Sequence, residues 1–217
     1  MPPKPKYTRE EIIAAAFQLA RERGIEAVVA REVGKRLGTS SSPIFTVFNS
    51  MEELQRAVID LAWRTFEECI SIADGYNPAF KMRGMQFIHF AQQEPKLFQM
   101  LFMREQKPLD FETLMESRIH GFEQDVERIR QDYHLSFGQA RRVFNHVWVH
   151  AYGICVLCAT GICAFNDEEL NAMLGEAFMG EMLVLKRGGG NHRVIPAAKG
   201  SEEAQRLGGT FPGYEEM

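Results

Sequence analysis

Two runs of side chains in this sequence are of a type and spacing that could do chemistry. Ser40, Ser41 and Ser42 stand in a row before Pro43, and Cys155, Cys158 and Cys163 cluster further on. Hydroxyls at the start of a helix, beside its free backbone N–H groups, favour an anion, and a phosphate fits. The cysteines invite a metal site or a thiol switch. A structural zinc needs four ligands, however, and no nearby Cys or His pair completes the set. All three lie within or at the end of an apolar helix, where cysteine packs as a small hydrophobe, and Cys69 is far away in sequence. His89, His120, His134, His146, His150 and His192 are scattered without metal-ligand spacing. There is no paired-carboxylate motif, nucleophile motif or phosphate loop, so neither an enzyme nor a cofactor or metal is expected.

The serines are positioned by the stretch Val29 to Leu54, which reads as a short helix, a tight turn, a second short helix and the start of a third. The first would hold Arg31, Glu32, Lys35 and Arg36 outward and Val33 and Leu37 inward. Gly38 supplies a left-handed residue to close it. The second pairs Ile44 with Phe48 on one anchored face. Capping rules put Ser42 at its N-cap with Pro43 at the first helical position. Upstream, Thr8 and Glu11 form a capping box, and Ile13, Ala16, Phe17 and Ala20 make the inward stripe of a helix that runs to Gly24.

Residues 8 to 54 resemble the DNA-binding domain of the TetR family of bacterial transcriptional repressors. The resemblance is carried by Thr8-Arg9-Glu10-Glu11-Ile12, Gly24, Arg31 and Val33, Lys35-Arg36-Leu37-Gly38, Ile44-Phe45 with Phe48, and Glu52-Glu53-Leu54. It starts the second short helix near Ser40. It implies a homodimer that sets one recognition helix from each subunit into successive major grooves of an operator, with a helical effector-binding domain behind. The residues expected at the DNA are Lys4, Lys6, Arg9, Arg31, Ser40, Ser41, Ser42, Phe45, Thr46, Val47 and Asn49. Lys4 and Lys6 sit in a proline-interrupted arm that either touches DNA or stays solvated. Several anchors depart from the family pattern: Met51 stands where lysine is common, Phe45 for tyrosine, Val47 for histidine, and Val29 for a threonine cap. Fewer phosphate contacts mean a shallower dependence of DNA affinity on salt.

The chain has 217 residues, 45% hydrophobic and 25% charged, with a net charge of −4. That charge is divided: residues 1 to 56 hold nine Lys or Arg against seven Asp or Glu, a net +2, and the remainder sixteen against twenty-two, a net −6. No apolar run is long enough to span a bilayer and no signal-peptide core is visible, so a cytoplasmic protein without a membrane partner is expected. The fold expected is all-α with about nine helices: an arm and helix-turn-helix domain over 1–54, a ligand-binding and dimerisation domain over 55–187, and a flexible glycine-rich tail over 188–217. After the helix from Met51 into the seventies come helices over about Pro78–Gln93, Leu97–Met103, Phe111–Asp132, Ser136–Gly161 and Glu168–Lys186.

The second domain concentrates Met and Phe, which can line an adaptable apolar pocket. Trp148-Val149-His150-Ala151-Tyr152-Gly153 resembles the W-x-H-x-x-G pattern of some TetR-type regulators, and Gly153 is expected to allow close helix approach. On that resemblance the candidate effector contacts are Phe66, Met85, His89, Phe102, Met115, Phe122, Trp148, His150 and Tyr152, and the effector is expected to be small and apolar. The last two helices carry more apolar face than one neighbour covers, and are expected to pair with their copies. The reading is a ligand-responsive repressor; the alternative is a helical small-molecule-binding protein that has lost sequence-specific DNA binding.

Overall fold

The computed structural model describes residues 6–76, 78–104, 108–119 and 121–187. Lys4 and the segment 188–217 lie outside them. The described chain is all-α: α1 Arg9–Arg23, α2 Ala30–Arg36, α3 Met51–Ser71, α4 Ala79–Gln93, α5 Pro95–Phe102, α6 Phe111–Arg118, α7 Phe122–Asp132, α8 Phe137–Ala159 and α9 Asp167–Lys186. Most ends are set by local chemistry. Thr8 Oγ1 accepts from the Glu11 N–H while the Glu11 carboxylate accepts from the Thr8 N–H, and Ser136 and Gln139 form the same reciprocal box at α8. Asn166 and Glu169 repeat it at α9.

Residues up to Met182 form one compact unit; a second unit begins at Leu183, and its described part is the end of α9. In the first unit one apolar cluster runs from Ile12 and Phe17 of α1 through Leu54, Val58 and Phe66 of α3 to Phe87, Phe98, Ile154 and Leu174. The division expected at residues 54 and 55 falls inside α3, which is continuous from Met51 to Ser71.

Two expected helices differ. The single helix over Phe111–Asp132 is broken into α6 and α7. Gly121 there is left-handed at φ 77°, and a Cβ at that position would lie 2.7 Å from Arg83 Nη2, so the break lets the arginine pass. The second short helix of the helix-turn-helix is one 3-10 turn, Ile44–Thr46, and Pro43 rather than Ser40 or Ser42 stands at its N-cap. Proline has no N–H to open an α-ladder, and the Ile44 N–H donates three residues back, to Ser41 C=O at 3.1 Å. Thr46 bonds Pro43 C=O through both its N–H and its hydroxyl, which holds the tighter geometry.

Candidate functional site

The turn that carries the serines is fixed from below. Ile44 and Phe48 are fully buried or nearly so, at 0% and 1% exposed, as their four-residue spacing demands. Gly34 of α2 lets the turn approach closely, because a Cβ there would lie 2.8 Å from Ser40 O. Tyr7 Oη donates to Leu37 C=O at 2.7 Å and ties the entering chain to the end of α2. Above this frame Ser40, Ser42, Phe45 and Thr46 are exposed, and Ser41 and Val47 are half-buried. Lys6 and Arg31 are also exposed.

Arg9 and Asn49 have internal partners as well. The Arg9 guanidinium lies over the Phe48 ring at 4.7 Å and donates to Glu53 Oε1 at 3.3 Å. Glu53 Oε2 accepts from the Asn49 backbone N–H at 2.9 Å and from its side chain at 3.0 Å. The Asn49 backbone N–H, with Arg9 a lesser cause, holds the Glu53 carboxyl below the usual range. Arg23 pairs with Glu32, Arg36 with Glu22 and Arg21 with Glu94, so much of the positive charge of this region is matched internally. The N-cap of α2 is Val29, which offers no side-chain bond to the helix.

A cavity of about 500 Å³ lies among α3, α4, α5, α8 and α9, within the usual range for small-molecule sites. Its walls are aromatic. Phe66 meets Phe87 and Phe102 edge-on at 5.9 and 5.1 Å, Trp63 meets Phe102 at 5.3 Å, and Trp148 stacks on Phe87 at 6.3 Å. Phe80, Phe144 and Phe178 continue the lining. Toward α7 it becomes polar, with Arg83 Nε donating to Asp125 Oδ2 at 2.9 Å and Arg83 Nη1 3.4 Å from Asp74 Oδ1. Burial pushes the Asp125 carboxyl above its ordinary pKa, outweighing the opposite pull of Arg83 and Arg128.

Of the effector contacts expected from sequence, Phe66, Phe102 and Trp148 line this cavity. The others lie elsewhere. Met85, Met115 and Phe122 are buried away from it, Phe122 edge-on to Phe144 at 5.1 Å. His89 Nε2 is 2.8 Å from Asp167 Oδ1, and His150 is exposed. Tyr152 stacks on Trp148 at 5.1 Å while its hydroxyl donates to Phe102 C=O at the end of α5. Gly153 has no described atom within 4 Å of where a Cβ would stand, so close helix approach within the chain does not account for it. The sequence pattern does not single out Trp63, Phe80, Arg83 or Asp125, which also line the cavity, whereas Phe87 belongs to the Met- and Phe-rich set expected to line an apolar pocket. Asp125 had a signal: it sits on the inward stripe of Phe122, Val126 and Ile129, where a carboxylate is out of place.

Cys155 and Cys158 are buried, and burial pushes both thiols up; Cys163 is exposed beyond the end of α8.

Residues 12–58 match the family of bacterial regulatory proteins described as the tetR family. The N-terminal domain belongs to the TetR family. Over 129 residues, 59% of the chain, the protein is 26% identical to the HTH-type transcriptional repressor DrrR1 of Streptomyces coeruleorubidus. That match spans 45% of the length of the relative. Both similarities are to regulators and not to enzymes. The TetR match ends at residue 58, inside α3, so the helix that closes the DNA-binding domain is also the one whose Trp63, Phe66 and Ile70 line the cavity.

Proposed function

We propose that the protein is a TetR-type repressor that binds an operator as a homodimer and is released when a small, mainly apolar molecule fills the cavity. The observation that carries this reading is the shared helix. A ligand against Trp63, Phe66 and Ile70 presses on the rod whose first turns, at Leu54 and Val58, are buried in the core under the helix-turn-helix. The ligand acts only insofar as it binds the released conformation more tightly than the DNA-competent one. Residues 1–54 are assigned to DNA, with Ser40, Ser42, Phe45 and Thr46 presented outward, and 55–187 to the effector and the partner subunit. Phe137 and Val149 of α8 and Met179 of α9 are each at least 50% exposed, which suits pairing of these helices with their copies. Among the described residues no helix is long and apolar enough to cross a membrane.

The internal pairing of Arg9, Arg23 and Arg36 favours a second reading, a small-molecule-binding protein that no longer selects a DNA sequence. A titration of the purified protein against DNA from upstream of its own gene and against scrambled DNA, each at low and physiological salt, separates the two. Selective binding that persists at the higher salt supports the repressor. If both DNAs bind equally and are lost together as salt rises, and selection from random sequences recovers no preferred site, the second reading stands.

A further inference from the structure

The charges around the aromatic cavity do not all find partners within the protein. Asp125 and Asp74 face the same two arginines: Arg83 stands 2.9 Å from Asp125 and 3.4 Å from Asp74, and Arg128 stands 3.6 Å from Asp125 and 3.0 Å from Asp74. Two carboxylates and two guanidiniums balance. Glu67, the other acid of the lining, is exposed and already engaged. Lys81 of α4 also lines the cavity and is half-buried, yet its Nζ makes no hydrogen bond or ion pair among the described residues. The same holds for Oη of Tyr133, a half-buried lining residue just past α7. Neither atom is sealed away. The side-chain N and O atoms that are both buried and without a hydrogen bond among the described residues are Asp125 Oδ1, Arg142 Nε, Asn145 Oδ1 and Glu181 Oε2, so Lys81 Nζ and Tyr133 Oη keep accessible surface. Phe178 links the two regions, meeting Tyr133 at 4.7 Å and Phe80, the neighbour of Lys81, at 6.3 Å.

We propose that the molecule the cavity takes is an apolar, ring-containing carboxylate whose anionic group pairs with Lys81 and accepts a hydrogen bond from Tyr133 Oη. The inference rests on reading the cavity as an effector site and adds the chemistry of the effector. Phe66, Phe87, Phe102 and Trp148 receive the apolar body. The flexible stem of a lysine lets its ammonium swing to the anion, and an ion pair shielded by aromatic walls is stronger than one in bulk water. The first turn of α4, which carries Lys81, has no acidic residue and no side-chain cap, so the positive end of the helix dipole adds to the same field. An amine in the same place would meet a like charge and no free carboxylate.

The two tryptophans of the chain, Trp63 and Trp148, both line the cavity, so fluorescence excited selectively at tryptophan reads occupancy in the full-length protein. Three probes of matched shape are titrated: phenylbutyrate, its neutral amide and phenylbutylamine. A charge-assisted bond predicts that the carboxylate binds about tenfold or more tightly than the amide, with the amine weakest. Lys81→Met keeps the apolar stem without the charge; it abolishes the advantage of the carboxylate while the amide still binds, and Lys81→Arg retains the advantage. Tyr133→Phe lowers carboxylate affinity by about two- to tenfold, and an unchanged affinity there overturns the part assigned to Tyr133. Equal binding of carboxylate and amide, a preference for the amine, or an advantage that survives Lys81→Met overturns the assignment of Lys81 and leaves the cavity reading intact. Failure of every probe to change the fluorescence overturns both.

Discussion

Replacement of Gly34 by alanine tests the architecture that presents the serines. A Cβ at this position would lie 2.8 Å from Ser40 O, 2.9 Å from Ser40 C and 3.1 Å from Ser41 N, all backbone atoms that cannot swing away. Ordinary contact begins near 3.4 Å, so the turn must retreat by roughly 0.6 Å. Overpacking of this kind costs about 1–3 kcal/mol. Alanine in a helix interior gains about 1 kcal/mol over glycine, so the net effect is a loss of up to about 2 kcal/mol. For a chain of this size that lowers Tm by several degrees. Because the displaced atoms carry Ser40 to Ser42, affinity for operator DNA falls as well. Gly138→Ala is the control: it lies in the first turn of α8 with no described atom within 4 Å of its Cβ, and stability there is unchanged or rises by up to about 1 kcal/mol. Thermal denaturation and DNA titration of both variants decide the matter. If Gly34→Ala is stabilised like the control and binds DNA as before, the close approach of turn to helix is refuted.

Val29→Thr supplies the cap that α2 lacks, and is expected to raise stability by about 0.5–1 kcal/mol in denaturant unfolding. Phe66→Ala removes a ring 8% exposed that meets four other aromatic rings, and is expected to cost about 3–5 kcal/mol, with a fall in Tm on the order of 10 °C. The raised pKa of Asp125 gives its stability contribution a definite sign. Folding favours the protonated carboxyl, so the contribution is full below the unfolded value near 3.8 and is lost as pH climbs through the raised value. Unfolding midpoints measured across that range fall less steeply for Asp125→Asn than for the native protein; equal slopes would remove the claim that burial controls this group.

Much of the fold was legible because helix ends and apolar stripes are written in neighbouring residues. Thr8 with Glu11 predicts its capping box three residues apart, and Gly38, at φ 68°, takes the left-handed conformation its position requires. The break at Gly121 was not legible, because the apolar repeat of Phe122, Val126 and Ile129 continues past it and the cause is Arg83, far off in sequence. Nor was the 3-10 turn at Ile44–Thr46, where Pro43 at the start of a helix reads as favourable and only the bonds actually made reveal the tighter winding.

The sequence by itself determined that the chain is helical, where most helices begin, and that a helix-turn-helix with buried Ile44 and Phe48 stands near its start. These depend on interactions within about one turn of helix, which spacing encodes directly. Tertiary structure decided which aromatic side chains face the cavity. Phe66, Phe87 and Phe122 are all buried on helical stripes, yet only the first two line it. It also decided that Asp125 meets Arg83 across 42 positions, while its buried Oδ1 makes no hydrogen bond among the described residues and lies 3.6 Å from Arg128 Nη1. Helical periodicity gives the direction of a side chain from its own axis, and only the packing of other helices around that axis determines whether it meets protein or empty space.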